Sequence, residues 1–291
     1  MKKIKYWILA ARPQTLIASI APVIISTIFS YKYFNFNLTI FFFIILSALL
    51  IQIMTNFIND LYDFKKGADA SGRLGPKRMI QSGHISQKEM KFGILSTLVL
   101  AIFSGFYLVL VGGWPILMIG LSGFLFAYFY TATRFSIAYN GLGEVFVFLY
   151  FGIIASMGTF YIYNLEFHFQ ALLIGIMFGF LNTSLLIINN IRDYDIDMLS
   201  KKNTTTVIFG KTFAKIELLL VNIGAFIALF FLLDSMDKNF TVFIMFIIFI
   251  MFFLYKLMTD DEYLNNKALK QFSFYLICIT IVLSLVLFYG F

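Results

Sequence analysis

Long apolar runs and short polar segments alternate along this chain. If about 20 apolar residues make one membrane crossing, the alternation predicts nine spans, with Gly112, Gly113 and Pro115 as the turn between the third and the fourth. The predicted spans are Thr15–Tyr33, Leu38–Phe57, Phe92–Gly112, Trp114–Thr133, Leu142–Tyr163, Phe169–Ile191, Ile216–Leu233, Phe240–Met258 and Phe272–Tyr289. A helix satisfies its own backbone hydrogen bonds inside lipid. The predicted fold class is therefore all-α, a polytopic membrane protein with nine transmembrane helices.

The composition agrees with insertion into a membrane and excludes several other classes. Hydrophobic residues make up 60% of the 291 residues and charged residues 13%, which lies outside the range of soluble domains. The formal charge is +7, but the basic residues lie in short loops, which excludes nucleic acid and favours lipid headgroups or a phosphorylated substrate. The single cysteine, Cys278, excludes a disulfide within the chain and a cysteine metal site. The first span lacks a small-residue cleavage site, so we expect a membrane helix there and no signal peptide.

Basic residues are distributed unevenly between the two sides of the predicted membrane. With nine spans, 20 of the 22 Lys and Arg residues fall on one side, and Lys32 and Lys238 fall on the other. Loops rich in Lys and Arg tend to stay in the cytoplasm. We therefore expect a multi-pass protein of the plasma membrane (the cell inner membrane) whose N-terminus and Asp-rich loops are cytoplasmic.

Two polar stretches repeat one spacing at the ends of the second and sixth spans. Asn59-x-x-x-Asp63 lies in the stretch Asn56–Lys91, and Asn189-x-x-x-Asp193 lies in the stretch Asn189–Lys211. Both stretches leave the membrane in the same direction, so a parallel repeat of helix groups brings them face to face. Residues four apart share one face of a helix. If the sixth span continues as a helix, the residues on its polar stripe are Asn182, Asn189, Asp193 and Asp197.

The residue types in these stretches favour one kind of chemistry. Several carboxylates without Cys or a nearby His are hard oxygen ligands, which suit Mg²⁺ together with phosphate oxygens. The neighbouring basic residues, which suit phosphate contacts, are Lys65, Lys66, Arg73, Lys77, Arg78, Arg192, Lys201 and Lys202. Metal and cations that neutralise a departing diphosphate allow a carbon–oxygen bond to ionise. The stretches are therefore interpreted as the two halves of a magnesium-diphosphate clamp.

These residues resemble the motifs of the UbiA superfamily of intramembrane aromatic prenyltransferases, and within it the branch that prenylates 1,4-dihydroxy-2-naphthoate in menaquinone biosynthesis. The similar segments are ARPQTL (11–16), NDLYDFKKGAD (59–69), RLGPKRMIQSGHIS (73–86), GLGEVFVFLYFG (141–152) and NNIRDYDID with its KKNTTTVIFGK tail (189–211). They cover all but roughly the last third of the chain. One departure is the segment Thr133–Tyr139, which lacks a proline that the superfamily often has.

The resemblance implies a single transmembrane prenyltransferase domain over residues 1–291, with nine helices around a lipid-open central cavity. It implies that Asn59, Asp63, Asp193 and Asp197 hold Mg²⁺ and the diphosphate, with Asp60 and Asp69 in support; Asp69 is thereby a further candidate metal ligand. The implied diphosphate contacts are Arg12, Lys66, Arg78 and Lys202. The implied partners are the lipid bilayer, a polyprenyl diphosphate and the naphthoate, whose ring carboxylate leaves as carbon dioxide.

Other functions stay open at this point. The same clamp would serve another acceptor, such as 4-hydroxybenzoate, homogentisate or a glycerol-phosphate lipid. A cation-coupled transporter also places carboxylates on bundle helices, but near the middle of the membrane, whereas these Asp residues lie at helix ends beside basic residues. A purely structural membrane protein does not need the repeated spacing. The prenyl chain length, the oligomeric state and the residues that orient the acceptor do not follow from the sequence.

Overall fold

The fold is described from a computed structural model over residues 2–68, 78–236, 256 and 267–289. All regular structure in these residues is helical, with one isolated bridge between Asn140 and Asn203. The α-helices are α1 (Lys2–Ala11), α2 (Pro13–Tyr33), α3 (Leu38–Lys65), α4 (Gln87–Thr131), α5 (Gly143–Phe148), α6 (Ala155–Asn164), α7 (Phe169–Arg192), α8 (Tyr194–Leu199), α9 (Thr205–Phe209), α10 (Lys211–Asp234) and α11 (Ala268–Tyr289). A π-helical segment, Leu149–Ile154, joins α5 to α6, and a 3₁₀ turn covers Ile137–Tyr139.

Seven helical segments in the described residues are long and apolar enough to cross a membrane. They are α2, α3, α4, the continuous run Gly143–Asn164, α7, α10 and α11. The prediction of an all-α, multi-pass membrane protein is thereby confirmed. The eighth predicted span, Phe240–Met258, lies outside the described residues except for Lys256, and the count of nine stays a prediction.

Helix α4 contains both the third and the fourth predicted spans. Its 45 residues would reach about 67 Å at 1.5 Å per residue, roughly twice the hydrocarbon thickness of a bilayer. The helix is interrupted at Gly113, where φ is 68° and ψ is −154°. Glycine adopts a positive φ without steric strain, and Pro115 follows two residues later. The turn predicted at this position is therefore present as a break inside one long helical segment.

The main core surrounds α7, the most buried of the candidate spans. Side chains from α2, α6, α7, α10 and α11 form the largest apolar cluster of the described residues. Asn182 lies within this core, 1% exposed, and donates hydrogen bonds to the carbonyl oxygens of Ala18 (2.9 Å) and Phe151 (2.7 Å). Asn182, which the sequence places on the polar stripe of α7, does not line the polar cavity described below, because its carboxamide joins α7 to α2 and to the π-helical segment.

Glycines allow the π-helical segment to approach α7 closely. A Cβ atom added to Gly152 would lie 2.3 Å from the Cα of Gly179 and 2.4 Å from the carbonyl oxygen of Gly175. Real Cβ atoms do not approach backbone atoms so closely, so the two segments would have to separate. Close approach through small residues is a common way of packing membrane helices.

We expect Gly152→Ala to destabilise the fold by about 1–3 kcal/mol, the usual range for overpacking a core. The measurement is the midpoint of thermal unfolding of the purified protein in detergent. Gly105→Ala is the matched control, because a Cβ at Gly105 would meet nothing within 4 Å and alanine is the better helix former. A Gly152→Ala protein that unfolds at the wild-type midpoint would show that this contact is not tight.

Candidate active site

A polar cavity of about 130 Å³ lies where the ends of α3, α4 and α7 meet. The charged residues that line it are Arg12, Asp63, Arg78, Glu144, Arg192, Asp193 and Lys202. The uncharged polar residues that line it are Gln14, Thr15, Asn59, Tyr130, Thr131, Asn189, Asn190 and Thr204. The two Asn/Asp stretches therefore face one cavity. Six of the ten predicted site residues line it, namely Arg12, Asn59, Asp63, Arg78, Asp193 and Lys202.

On the α3 side, Asn59 and Asp63 lie one helical turn apart. Asp63 is buried, and its carboxylate accepts hydrogen bonds from Arg78 Nη2 (2.6 Å) and from the hydroxyl of Tyr139 (2.9 Å). The side-chain oxygen of Asn59 accepts a hydrogen bond from the hydroxyl of Thr131. These contacts bring residues of α4 and of the loop segments on either side of it to the last two turns of α3.

Asp60 faces away from the cavity. It is 2% exposed, and its Oδ2 accepts a hydrogen bond from the backbone nitrogen of Met79 at 3.0 Å. Met79 directly follows Arg78. The hydrogen bond to Asp60 therefore holds in place the segment that contains Arg78, whose side chain contacts Asp63. Asp60 therefore stabilises the site indirectly, through the backbone of Met79. Asp69 lies outside the described residues.

On the α7 side, the helix ends at Arg192, and Asp193 links α7 to the short helix α8. Backbone bonds from Asp193 N to Asn189 O (2.9 Å) and from Asp197 N to Asp193 O (2.8 Å) keep a nearly helical path through the junction. Asp193 therefore stays one turn after Asn189, as the spacing predicts, and both line the cavity. Asp197 is buried and is not among the lining residues.

Each of the three aspartates in the two motifs is paired with a cation. Arg78 contacts Asp63 as described above. Both oxygens of Asp193 accept hydrogen bonds of 2.8 Å from the Arg192 guanidinium, and the Asp197 carboxylate accepts from Lys202 Nζ at 3.0 and 3.2 Å. Removing a charge from water is costly unless an opposite charge lies close. In each pair, the cation compensates the charge of a carboxylate that is removed from water.

Arg12 reaches the cavity from the break between α1 and α2. Its backbone is left-handed, with φ 52° and ψ 70°, and Pro13 begins α2. The side chain of Asn56 donates a hydrogen bond of 2.9 Å to the carbonyl oxygen of Ala11 and so holds this break against α3. A left-handed conformation is uncommon for a residue with a side chain and occurs often at functional sites.

Lys66 is not among the residues that line the cavity. Its ammonium donates hydrogen bonds to the carbonyl oxygen of Thr133 (3.0 Å) and to the hydroxyl of Ser136 (2.8 Å), and it lies 4.1 Å from the centre of the Tyr139 ring. Burial lowers the pKa of Lys66, while the Asp63 carboxylate opposes that shift. Lys66 thus holds the 133–139 segment from which Tyr139 contacts Asp63.

Glu144 is a cavity residue that sequence reasoning did not identify. It is 7% exposed, and its Oε1 accepts hydrogen bonds from Asn190 Nδ2 (2.8 Å) and from the hydroxyl of Thr205 (2.7 Å). This carboxylate therefore connects α5, α7 and α9 at the wall of the cavity. The available signal was a single acidic residue inside the apolar segment GLGEVFVFLYFG, because ionisable residues within membrane segments are usually functional.

A second, apolar cavity of about 670 Å³ adjoins the polar one. Its walls come from α2, α3, α4 and the run Gly143–Asn164. Tyr130 lines both cavities, so a polar chamber at the helix ends meets an apolar chamber between the helices. A ligand with a charged head and a hydrocarbon tail fits this combination.

Comparisons with known proteins agree over most of the chain. It is 33% identical over 215 residues to the 1,4-dihydroxy-2-naphthoate octaprenyltransferase of Escherichia coli (strain K12), an alignment that covers 72% of this chain and 70% of that protein. The protein of the same name from Haemophilus influenzae is 32% identical over 217 residues, with the same shares covered. A UbiA homolog from Archaeoglobus fulgidus, solved bound to DMAPP and Mg²⁺, has the same fold.

The match to that structure has a TM-score of 0.72 at 17% sequence identity, and covers 98% of this chain and 99% of the other. The same homolog bound to GPP and Mg²⁺ gives a TM-score of 0.71, also at 17% identity, over 97% and 99% of the two chains. The UbiA prenyltransferase family matches residues 19–289. The resemblance inferred from the motifs is thereby confirmed, and this multi-pass membrane protein belongs to the UbiA prenyltransferase family.

Proposed function

We propose that this protein transfers a polyprenyl group from a polyprenyl diphosphate to 1,4-dihydroxy-2-naphthoate, releasing diphosphate and carbon dioxide, to form the hydroquinone form of demethylmenaquinone. The observation that supports this most is the junction at Tyr130 between a cavity lined by paired charges and a large apolar cavity. The names of the Escherichia coli and Haemophilus influenzae relatives support the naphthoate as acceptor. The proposed location is the plasma membrane, with the polar cavity on the cytoplasmic side.

The donor groups around the polar cavity suit magnesium. Among the residues that the structure describes, no three His, Cys, Asp or Glu side chains form a ready metal cage. Mg²⁺ does not need such a cage, because it binds through one or two carboxylates and completes its shell with water and phosphate oxygens. We assign Asn59, Asp63 and Asp193, which line the cavity, to hold it, with Asp69 and Asp197 as further candidates. When bound, Mg²⁺ would neutralise negative charge on the diphosphate.

The cations of the cavity bind the diphosphate in this proposal. Arg12, Arg78 and Lys202 line the cavity, and Arg192 does so as well. A guanidinium has five N–H donors, so Arg78 and Arg192 each have the capacity to bond an aspartate and a phosphate oxygen together. Donors fixed in place before the reaction stabilise the charge that develops on the departing diphosphate. Lys66 contributes indirectly, by holding the segment that contains Tyr139.

The reacting carbon lies at the junction of the two cavities in this proposal. The prenyl tail occupies apolar space, and the diphosphate lies among the charges, so the bond between them falls near Tyr130. As this carbon–oxygen bond ionises, the ring carbon that bears the carboxylate forms a bond to the allylic carbon. The bond to the carboxylate then breaks, its electrons restore the aromatic ring, and carbon dioxide leaves. The apolar walls exclude water, which would otherwise capture the allylic cation.

The function is tested with membranes that contain the protein, a polyprenyl diphosphate of defined length and Mg²⁺. The naphthoate and 4-hydroxybenzoate are offered in parallel, and the products are identified by mass spectrometry. We expect a prenylated product from the naphthoate that lacks the carboxyl group. Product from 4-hydroxybenzoate alone would agree with the magnesium-diphosphate clamp but show that the proposed acceptor is wrong. No product from either compound would reopen the transporter hypothesis.

We expect Lys202→Met to raise the KM for polyprenyl diphosphate by roughly 10-fold, since hydrogen bonds to charged groups contribute about 1.5–3 kcal/mol. Lys202 lines the cavity and contacts Asp197. Lys201→Met is the matched control, because Lys201 is adjacent in sequence and exposed and does not line the cavity. Equal KM values for the two variants would remove Lys202 from the diphosphate site.

A further inference from the structure

Gln52 is a polar residue in the wall of the apolar cavity. The binding of a hydrocarbon tail does not explain a polar residue at this position. It lies on α3, seven residues before Asn59 and on the same helix face, about 10 Å deeper along the axis. Its side chain lines the apolar cavity and is 8% exposed. Its Oε1 is buried and has no hydrogen-bond partner in the described part of the chain. A buried amide without a partner destabilises the folded state.

Several hydroxyl groups along this wall are hydrogen-bonded within the protein. Thr55 donates to the carbonyl oxygen of Ile51 (2.8 Å), and Thr159 donates to that of Ala155 (2.7 Å). The hydroxyls of Ser47 and Ser104 bond each other at 2.8 Å. Gln52 differs from these residues, since its Oε1 has no hydrogen-bond partner among the described residues.

We propose that Gln52 binds the aromatic acceptor by hydrogen-bonding one of its ring hydroxyl groups, an inference that rests on the proposed function. A carboxamide donates and accepts, and a hydroxyl does the same, so the two are complementary. A polyprenyl tail offers neither a donor nor an acceptor. An acceptor ring that meets the reactive carbon near Tyr130 extends into the apolar cavity, and Gln52 lies in the wall of that cavity. The carboxamide is uncharged, so it does not repel the acceptor's carboxylate.

The test compares Gln52→Leu with Ile53→Leu, a volume-conserving change at the next residue of α3, which lines neither cavity. For each protein, KM is measured for the acceptor and for polyprenyl diphosphate, together with the midpoint of thermal unfolding in detergent. Gln52→Leu is expected to raise the acceptor KM about 10-fold, to leave the donor KM within about twofold, and to keep or raise the unfolding midpoint, because it removes an unpaired polar group. Ile53→Leu is expected to leave both KM values unchanged.

Acceptor analogues identify the hydrogen bond itself. Inhibition constants are measured for 1-hydroxy-2-naphthoate and 4-hydroxy-2-naphthoate, each of which lacks one hydroxyl of the proposed acceptor. The analogue that lacks the hydroxyl partner of Gln52 is expected to bind the wild type about 10-fold more weakly than the other analogue. Its affinity for Gln52→Leu is expected to equal its affinity for the wild type, because the hydrogen bond is already missing.

Three results would overturn the inference. They are an unchanged acceptor KM in Gln52→Leu, a rise in the donor KM alone, and an equal rise of the acceptor KM in Ile53→Leu. If the proposed function is wrong, the wild type itself gives no product with any hydroxylated ring. The inference about Gln52 is then rejected together with the proposed function. If the wild type uses another hydroxylated ring, the proposed acceptor is wrong, and the same KM comparison made with that ring decides for or against Gln52.

Discussion

Asp63→Asn is expected to reduce prenyl transfer by at least about 100-fold, the loss that follows removal of one preorganised charged or polar group from an active site. Asp63 lines the polar cavity and lies between Arg78 and the Tyr139 hydroxyl. Asparagine keeps the shape of the side chain but removes the charge that attracts a cation. Asp193→Asn is expected to behave in the same way, since Asp193 occupies the equivalent place on α7. The measurement is turnover in membranes at saturating Mg²⁺.

Asp195→Asn is the matched control for both changes. Asp195 lies between Asp193 and Asp197 in sequence, but its side chain is 74% exposed and contacts Lys211 at 3.3 Å on the surface. A surface pair of this kind contributes little to stability, so turnover and the unfolding midpoint should match the wild type. Near-normal turnover in Asp63→Asn, or an equal loss of turnover in Asp195→Asn, would contradict the proposal that Asp63 and Asp193 belong to a magnesium-diphosphate clamp.

Arg78→Met is expected to abolish transfer and also to destabilise the fold by about 3–5 kcal/mol, because breaking a buried ion pair leaves one charge uncompensated. The side chains of Arg78 and Asp63 are 7% and 10% exposed, and their closest atoms are 2.6 Å apart. Methionine fills much of the same space without the charge. The destabilisation should appear as a lower midpoint of thermal unfolding in detergent.

The double variant Arg78→Met with Asp63→Asn separates the two effects. Without the Asp63 charge, no carboxylate is left uncompensated, so the double variant should regain much of the lost stability while remaining inactive. If the destabilisation of the double variant equals the sum of the two single changes, the pair does not interact as the structure indicates. If the double variant is active, neither residue belongs to the diphosphate site.

Periodicity and charge were enough to predict the class of the fold, and the resemblance of the motifs indicated the family. The apolar runs correspond to α2, α3, the two parts of α4, Gly143–Asn164, α7, α10 and α11. The motifs around Asn59 and Asp193 led to the family that the comparisons then confirmed. Gly113 and Pro115 marked the break in α4, because both residues restrict where a helix continues. These features depend on local sequence, which is why they were predictable.

The contacts of single side chains were less predictable, because they depend on segments far apart in sequence. Lys66 has the charge of a phosphate ligand, yet it donates to Thr133 and Ser136. Asn182 has the spacing of the α7 stripe, yet it joins α7 to α2 and the π-helical segment. Glu144 becomes part of the cavity through Asn190 and Thr205, two residues beyond its own segment.

We propose that the ends of α3 and α7 form one magnesium-dependent diphosphate site. The most direct test of this proposal is the binding of a non-reactive polyprenyl thiodiphosphate to the purified protein, with Mg²⁺ and with the metal removed by chelation. We expect Mg²⁺ to strengthen this binding greatly in the wild type and in Asp195→Asn. We expect no such effect of Mg²⁺ in Asp63→Asn or in Asp193→Asn. Binding that is equally tight without metal, or that depends on only one of the two aspartates, would contradict the proposal.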